Sequence, residues 1–190
     1  MKIGLFFGSF NPVHIGHLII ANYMISFTDL DELWFIVSPH NPLKNKESLL
    51  DEGLRIEMLR LAVGLNSRIK VSDVESGLTK PSYTIHTLAY LKEKHPGFDF
   101  VIIMGADGLS SFSKWKDHQF IEQHFERYVY PRPGFESFDF GSCKNCSFHS
   151  APLIDISSTQ IRKALAERRD VRYYLPNGVY DFILSRSLYL

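Results

Sequence analysis

Short apolar runs typical of buried strands alternate with helical patterns along the whole chain. The predicted strands are 2–7, 32–39, 68–74, 98–107, 127–133 and one within 151–158. The predicted helices are 17–27, 51–64, 82–95, 110–125, 158–169 and 177–189. Apolar strands separated by helices are typical of a parallel sheet with helices on both faces. The sequence therefore predicts an α/β fold, a doubly wound (Rossmann-like) parallel sheet with a small helical part at the C-terminal end.

The second predicted helix has a regular apolar spacing. Leu54, Met58, Leu61 and Leu65 recur every three or four residues, which places side chains on one helical face. We expect that face to be buried.

Length and charge exclude several classes of protein. A chain of 190 residues is typical of a single domain, which we predict over 1–190. Its 21 basic and 21 acidic residues give no net charge, which argues against a nucleic-acid partner. No apolar stretch has the length of a membrane helix, and no secretory leader precedes the first strand, so we expect a cytoplasmic protein without a membrane partner. A homo-oligomer is left open.

The two cysteines lie close together in "CKNC" (143–146), with His149 nearby. This spacing resembles half of a zinc site, but a second pair of ligands is missing. We therefore predict free thiols and no bound metal. The surrounding region, 134–150, has little periodicity and is predicted to be an irregular connection.

Two histidines lie where the first strand gives way to a helix. The stretch "GSFNPVHIGH", residues 8–17, is called the histidine loop below. Pro12 disfavours helix before it, so the helix is predicted to begin near His14 or Ile15, with His14 and His17 on the same face. Unpaired amides and the helix dipole make such a position attractive to a phosphate. The stretch contains neither of the common glycine-rich nucleotide motifs, so an ordinary dinucleotide fold or P-loop is disfavoured.

The histidine loop resembles the "GGTFDPxHxGH" segment of the nucleotidyltransferases that share an H-x-G-H signature. A second segment, "ISSTQIR" (156–162), resembles the "ISSTxIR" signature of the same superfamily. Three further stretches are similar to the nicotinate-nucleotide adenylyltransferases: "KPSYTIHTL" (80–88), "MGADGLSSFSKWKD" (104–117) and "PRPG" (131–134). Phe7, Ser9 and Asn11 depart from the usual Gly, Thr and Asp.

The resemblance implies adenylyl transfer from ATP to nicotinate mononucleotide, a step of NAD biosynthesis that yields nicotinate adenine dinucleotide and pyrophosphate. The substrate phosphate attacks ATP directly and in line, so no covalent intermediate and no general base are expected. Magnesium is expected to accompany ATP, which supplies most of its ligands.

The resemblance also implies a set of site residues. The expected catalytic residues are His14, His17 and Arg162, and the expected ATP-binding residues are Gly8, Ser9, Phe10, His14, His17, Asp107, Ile156, Ser157, Ser158, Thr159 and Arg162. The expected nicotinate mononucleotide-binding residues are Lys44, Tyr83, Thr84, Trp115 and Arg132. Trp115 would stack on the pyridine ring, and the helix start at Tyr83 and Thr84 suits a carboxylate.

Three other interpretations stay open from the sequence. The chain could serve another small phosphate, as phosphopantetheine adenylyltransferase does. It could be a nucleotide-binding regulator without catalytic activity, or a doubly wound domain that binds an unrelated anion.

Overall fold

The computed structural model describes residues 1–39, 49–135 and 143–190. Its strands form one sheet and are β1 (Lys2–Gly8), β2 (Glu32–Val37), β3 (Ile69–Ser72), β4 (Asp99–Gly105), β5 (Glu126–Tyr130) and β6 (Cys146–Phe148). Their order is β3-β2-β1-β4-β5-β6. Every neighbouring pair is parallel, which confirms the predicted fold class.

The α-helices of the described residues are α1 (Ile15–Phe27), α2 (Glu52–Val63), α3 (Thr84–Lys94), α4 (Ala106–Ser110), α5 (His118–His124), α6 (Ser158–Ala166) and α7 (Val179–Ser185). Short 3-10 turns cover Val74–Gly77, Phe112–Lys114 and Arg172–Tyr174. In the described ranges, no helix is long and apolar enough to cross a membrane.

Alternate residues of the strands face two apolar layers. One layer includes Phe6 and Phe35 of the sheet and packs against α1, α2, α6 and α7. The other includes Leu5 and Ile102 and packs against α3, α4 and α5. Because both faces are covered, the central strands β1, β2 and β4 are apolar apart from the charged residue at the start of each.

The strand order reverses between β1 and β4. In an open parallel sheet, ligands bind in the crevice that this reversal opens beyond the carboxyl ends of the strands. The histidine loop follows β1, and Asp107 lies just after β4. The topology therefore places the sequence-predicted site at this crevice.

Several predicted elements are wrong in position. Most of the helix predicted over 110–125 is a 3-10 turn followed by α5, with Asp117 between them in a left-handed conformation at φ 53°. The helix α4 begins earlier, at Ala106, within the strand predicted over 98–107. The sixth strand is β6, which lies in the segment predicted to be irregular and not within 151–158. Within 151–158, Pro152 has no amide hydrogen to donate to a sheet, and the side chain of Ile154 packs against Gly16.

Two further predictions are corrected by side-chain contacts. Cys143 and Cys146 form a disulfide, so the prediction of free thiols is wrong. Leu61 of α2 and Leu65, which lies beyond the end of the helix, are exposed, and Arg55 is buried alongside Met58. The apolar spacing therefore identifies only part of the buried face of α2, which also includes Arg55, because its guanidinium bonds to backbone carbonyl groups beyond the ends of β1 and β2.

Candidate functional site

The histidine loop runs from the end of β1 into α1. His14 is the N-cap residue of α1 in an extended conformation, so the predicted helix start is confirmed. The ring of Phe10 folds back beside Gly8, where a Cβ atom would lie 2.7 Å from it. Phe10 itself has a left-handed φ of 45° and is 2% exposed. Glycine at position 8 is therefore needed for the buried ring of Phe10 to fold back against the end of β1.

The two imidazole rings lie together at the start of α1. Their centroids are 3.7 Å apart in a stacked arrangement. Nδ1 of His17 accepts a hydrogen bond from the backbone amide of His14 at 3.2 Å. A neutral His17 therefore carries its proton on Nε2, where it is a hydrogen-bond donor.

His14 is the more buried of the pair. It is 5% exposed, and its Nδ1 has no hydrogen-bond partner in the described part of the chain. Burial, together with the positive charge of Arg132, lowers the pKa of His14 from 6.5 to about 4. His14 is therefore a neutral imidazole near pH 7 in the free protein, and a bound anion would favour its protonated form.

This burial predicts a pH-dependent stability. Because the folded pKa of about 4 lies below the unfolded value of 6.5, the unfolded chain binds more protons between these two values. The stabilisation is complete above pH 6.5 and is lost as the pH falls towards 4. We expect His14 to account for about 2 kcal/mol of the free energy of unfolding lost between pH 7 and pH 5. Urea denaturation of the wild type and His14→Gln across this range measures it, and equal pH slopes would contradict the prediction.

The second signature segment meets the histidine loop directly. Ser157 is the N-cap of α6, and its hydroxyl accepts the amide of Gln160 at 3.2 Å. The hydroxyl of Ser158 donates to the carbonyl oxygen of Pro12 at 2.8 Å. The guanidinium of Arg162 donates to the carbonyl oxygen of Asn11 at 2.8 Å. Two motifs about 140 residues apart thus share one face of the crevice, as the resemblance implies.

The remaining signature residues surround this contact. Thr159 lies next along α6, and its hydroxyl is 3.4 Å from the guanidinium of Arg162. Ile156 is partly buried against the apolar layer that α1 and α6 cover. The N-termini of α1 and α6 both present amides here, and together with Arg162 they give the site a positive potential.

Asp107 and Arg132 lie beyond the ends of β4 and β5. Nε of Arg132 is 3.6 Å from Oδ1 of Asp107. Gly105 lets both side chains approach, since a Cβ atom there would collide with each of them. The positive charge of Arg132 contributes to the lowered pKa of His14, after burial. The structure therefore brings these two predicted residues to the same crevice.

The residues predicted to bind the nicotinate ring form a second group. Tyr83 is the N-cap of α3, Thr84 is its first residue, and Trp115 follows the 3-10 turn. Lys116, next to Trp115, places Nζ 4.8 Å from the ring centroid of Tyr83 and 3.2 Å from Nε2 of His86. Lys116 thus joins the two halves of this group, although the sequence interpretation does not include it. Lys44 lies outside the described residues.

The comparisons with known proteins agree with this geometry. A profile described as cytidylyltransferase-like matches residues 5–164. A protein of Cytophaga hutchinsonii is 48% identical over 189 residues, which cover 100% of this chain and 98% of its own. One of Bacteroides fragilis is 45% identical over 186 residues, 98% of this chain and 92% of its own. Both carry the name "Probable nicotinate-nucleotide adenylyltransferase".

The chain belongs to the nicotinate-nucleotide adenylyltransferase family. A solved nicotinic acid mononucleotide adenylyltransferase of Plasmodium falciparum, in complex with NaAD, has the same fold. The two structures superpose with a TM-score of 0.85 over 99% of this chain and 97% of the other. Their sequences are only 20% identical, so this likeness concerns the fold.

A buried arginine that the sequence analysis does not include connects the segments around the site of this family member. Arg55 of α2 is 1% exposed. Its guanidinium donates to four carbonyl oxygens, those of Ser9, Ser38, Pro39 and Leu50, at 2.7–3.2 Å. It therefore ties the histidine loop to the end of β2. An arginine among apolar residues of a helix was the available signal, but periodicity alone does not tell a buried arginine from an exposed one.

Proposed function

We propose that this chain transfers the adenylyl group of ATP to nicotinate mononucleotide, with pyrophosphate as the second product, and so serves NAD biosynthesis. The observation that carries the proposal is the contact of the two signature segments, Ser158 with Pro12 and Arg162 with Asn11. Full-length relatives at 44–48% identity support the same reaction. A cytoplasmic location, expected from the sequence, is part of the proposal.

The reaction is a direct displacement at phosphorus. An oxygen of the mononucleotide phosphate forms a bond to the α-phosphorus of ATP. The bond between that phosphorus and the oxygen bridging to the β-phosphorus breaks, and this oxygen keeps the electron pair in the departing pyrophosphate. Because the nucleophile is already an anion, no side chain has to remove a proton, and catalysis consists of positioning and charge stabilisation.

The histidine loop and α6 supply the donors for this charge. The Nε2–H group of His17 is the donor that we assign to the transition state, since its Nδ1 is engaged by the amide of His14. Ser9 and the free amides of α6 are assigned to the other phosphate oxygens. Arg162, already anchored on Asn11, adds a fixed positive charge beside the histidine loop.

The acceptor is assigned to the neighbouring group of residues. Trp115 would stack on the pyridine ring, and the amides at Tyr83 and Thr84 would hold its carboxylate. Arg132 and Lys44 would contact the mononucleotide phosphate. The positive charge of Lys116 beside Tyr83 supports a substrate with a carboxylate on its ring.

Magnesium is proposed to arrive with ATP. In the part of the chain that the structure describes, no three histidine, cysteine or acidic side chains cluster in a way that could hold a metal ion. Asp107 is the carboxylate of the site, and it already lies 3.6 Å from Arg132. The ion would therefore take most of its ligands from the phosphates and water, and it would neutralise the charge of the triphosphate.

A panel of acceptors tests the proposed function. Pyrophosphate release is measured with ATP, Mg²⁺ and, in turn, nicotinate mononucleotide, nicotinamide mononucleotide or phosphopantetheine. We expect turnover with nicotinate mononucleotide. The nicotinamide form should have a lower kcat/KM, because its carboxamide has only one acceptor oxygen, whereas the carboxylate of nicotinate accepts hydrogen bonds through both of its oxygens. Turnover with phosphopantetheine but with neither mononucleotide would favour a phosphopantetheine adenylyltransferase. ATP binding without turnover for any acceptor would favour a nucleotide-binding regulator. Failure to bind ATP would favour a domain that binds an unrelated anion.

A further inference from the structure

The end of the chain reaches the histidine loop. Tyr189, the penultimate residue, donates its hydroxyl to the side-chain oxygen of Asn11 at 2.7 Å. The same oxygen accepts the backbone amide of Leu50 at 3.2 Å. Asn11 is only 3% exposed, so these hydrogen bonds are shielded from water. The side chain of Asn11 thus connects the loop to two segments that are far from it in sequence.

Asn11 is the fixed point of the loop. Its backbone oxygen accepts Arg162, while the carbonyl of Ser9, two residues earlier, accepts Arg55 at 2.7 Å. His14, the N-cap residue of α1, follows three residues after Asn11. The path of the chain between Ser9 and His14 is therefore set by how Asn11 is held, and a change there would redirect the groups on either side of it.

Tyr189 is suited to hold Asn11 at any working pH. Burial raises the pKa of its phenol above the usual range, although the charges of Arg162 and Arg55 act in the opposite direction. The hydroxyl therefore keeps its proton and stays a donor, whereas a phenolate could only accept. The amide oxygen of Asn11 is the matching acceptor.

We propose that Tyr189 is a positioning residue for adenylyl transfer, which holds the histidine loop in its ATP-binding arrangement through the hydrogen bond to Asn11. The C-terminal end of the chain is then part of the active site without contacting a substrate. The proposal rests on the proposed role of the histidine loop in binding ATP.

The test is a double-mutant cycle on the full chain, read out as the dissociation constants of ATP and nicotinate mononucleotide and as kcat/KM. Tyr189→Phe keeps the ring and removes only the hydroxyl. We expect it to weaken ATP binding and lower kcat/KM for ATP about 3- to 10-fold, the effect of one neutral hydrogen bond. Binding of nicotinate mononucleotide should change less than about 2-fold. In an Asn11→Ala background the same substitution should have no further effect.

Two variants complete the design. Tyr173→Phe is the matched control, because Tyr173 is 85% exposed in the same C-terminal part of the chain, and it should behave as the wild type. Asn11→Asp keeps an oxygen acceptor, so in that background Tyr189→Phe should again weaken ATP binding. This second background also serves if Asn11→Ala does not fold.

Specific results would overturn the proposal. Unchanged ATP binding in Tyr189→Phe, an equal loss in the wild-type and Asn11→Ala backgrounds, or an equal loss for both substrates would each do so. The dissociation constant of ATP does not depend on the identity of the acceptor. If the wild type binds ATP but does not use nicotinate mononucleotide, the proposed function fails while the result on Tyr189 stands.

Discussion

His17→Ala is expected to lower kcat by a factor of roughly 10²–10³, the typical loss when one preorganised transition-state donor is removed. ATP affinity should change less, because the other donors of the site remain. The physical reason is the fixed tautomer of His17. Its Nδ1 is occupied by the amide of His14, so the proton of the neutral ring is presented from Nε2. Steady-state kinetics of pyrophosphate release measure the effect.

Two further substitutions separate the Nε2–H donor of His17 from the second role of the same ring, in which Nδ1 accepts the backbone amide of His14. His17→Asn places an amide near the position of Nδ1, so it should keep the hydrogen bond from the amide of His14 but show a lowered kcat. His17→Gln reaches towards Nε2 and should retain part of the rate. His124→Ala is the control, because His124 is exposed at the end of α5. A folded His17→Ala variant with the wild-type kcat would show that the assigned role is wrong.

Arg55→Met is expected to lower the free energy of unfolding by about 3–5 kcal/mol, the range for breaking a buried hydrogen-bond network. For a chain of this length that corresponds to a fall in Tm of roughly 6–20 °C. Four carbonyl oxygens lose a charged donor, and they belong to Ser9, Ser38, Pro39 and Leu50. Relief of the buried charge offsets part of the loss, but methionine gives these oxygens no partner.

Urea denaturation of Arg55→Met and of a matched control tests this prediction. Arg60 lies on the same helix, its side chain is 63% exposed, and it is 3.7 Å from Asp73. Arg60→Met should therefore change the free energy of unfolding by no more than about 0.5 kcal/mol. Arg55→Lys should lie between the two, because an ammonium cannot reach as many carbonyls as a planar guanidinium. Equal denaturation midpoints for Arg55→Met and the wild type would contradict the account of Arg55.

Strand-like and helical patterns predicted the succession of strands and helices along the chain well where the elements are long. They failed where the decisive interaction is not local. The stretch after Ala151 is apolar enough for a strand, yet β6 is the short segment Cys146–Phe148 that pairs with β5. The helix predicted over 110–125 is interrupted at Asp117, whose left-handed φ no periodicity reveals.

The candidate residues of the site could be proposed from the sequence because they are concentrated in short segments. His14, His17 and Arg162 are recognised from residues next to them in the chain. Their mutual placement was expected from the resemblance, and the contact of Arg162 with Asn11 bears it out. The contacts of these residues with ATP stay predictions.

The sequence by itself determined the doubly wound sheet and marked the two signature segments, because strand and helix periods and turn chemistry are local properties. Only the tertiary structure decided which residues support those segments. Arg55 and Tyr189 act on backbone and side-chain oxygens that lie 46 and 178 positions away. Such partners are chosen by packing, which satisfies each buried donor with whatever acceptor the fold brings near it.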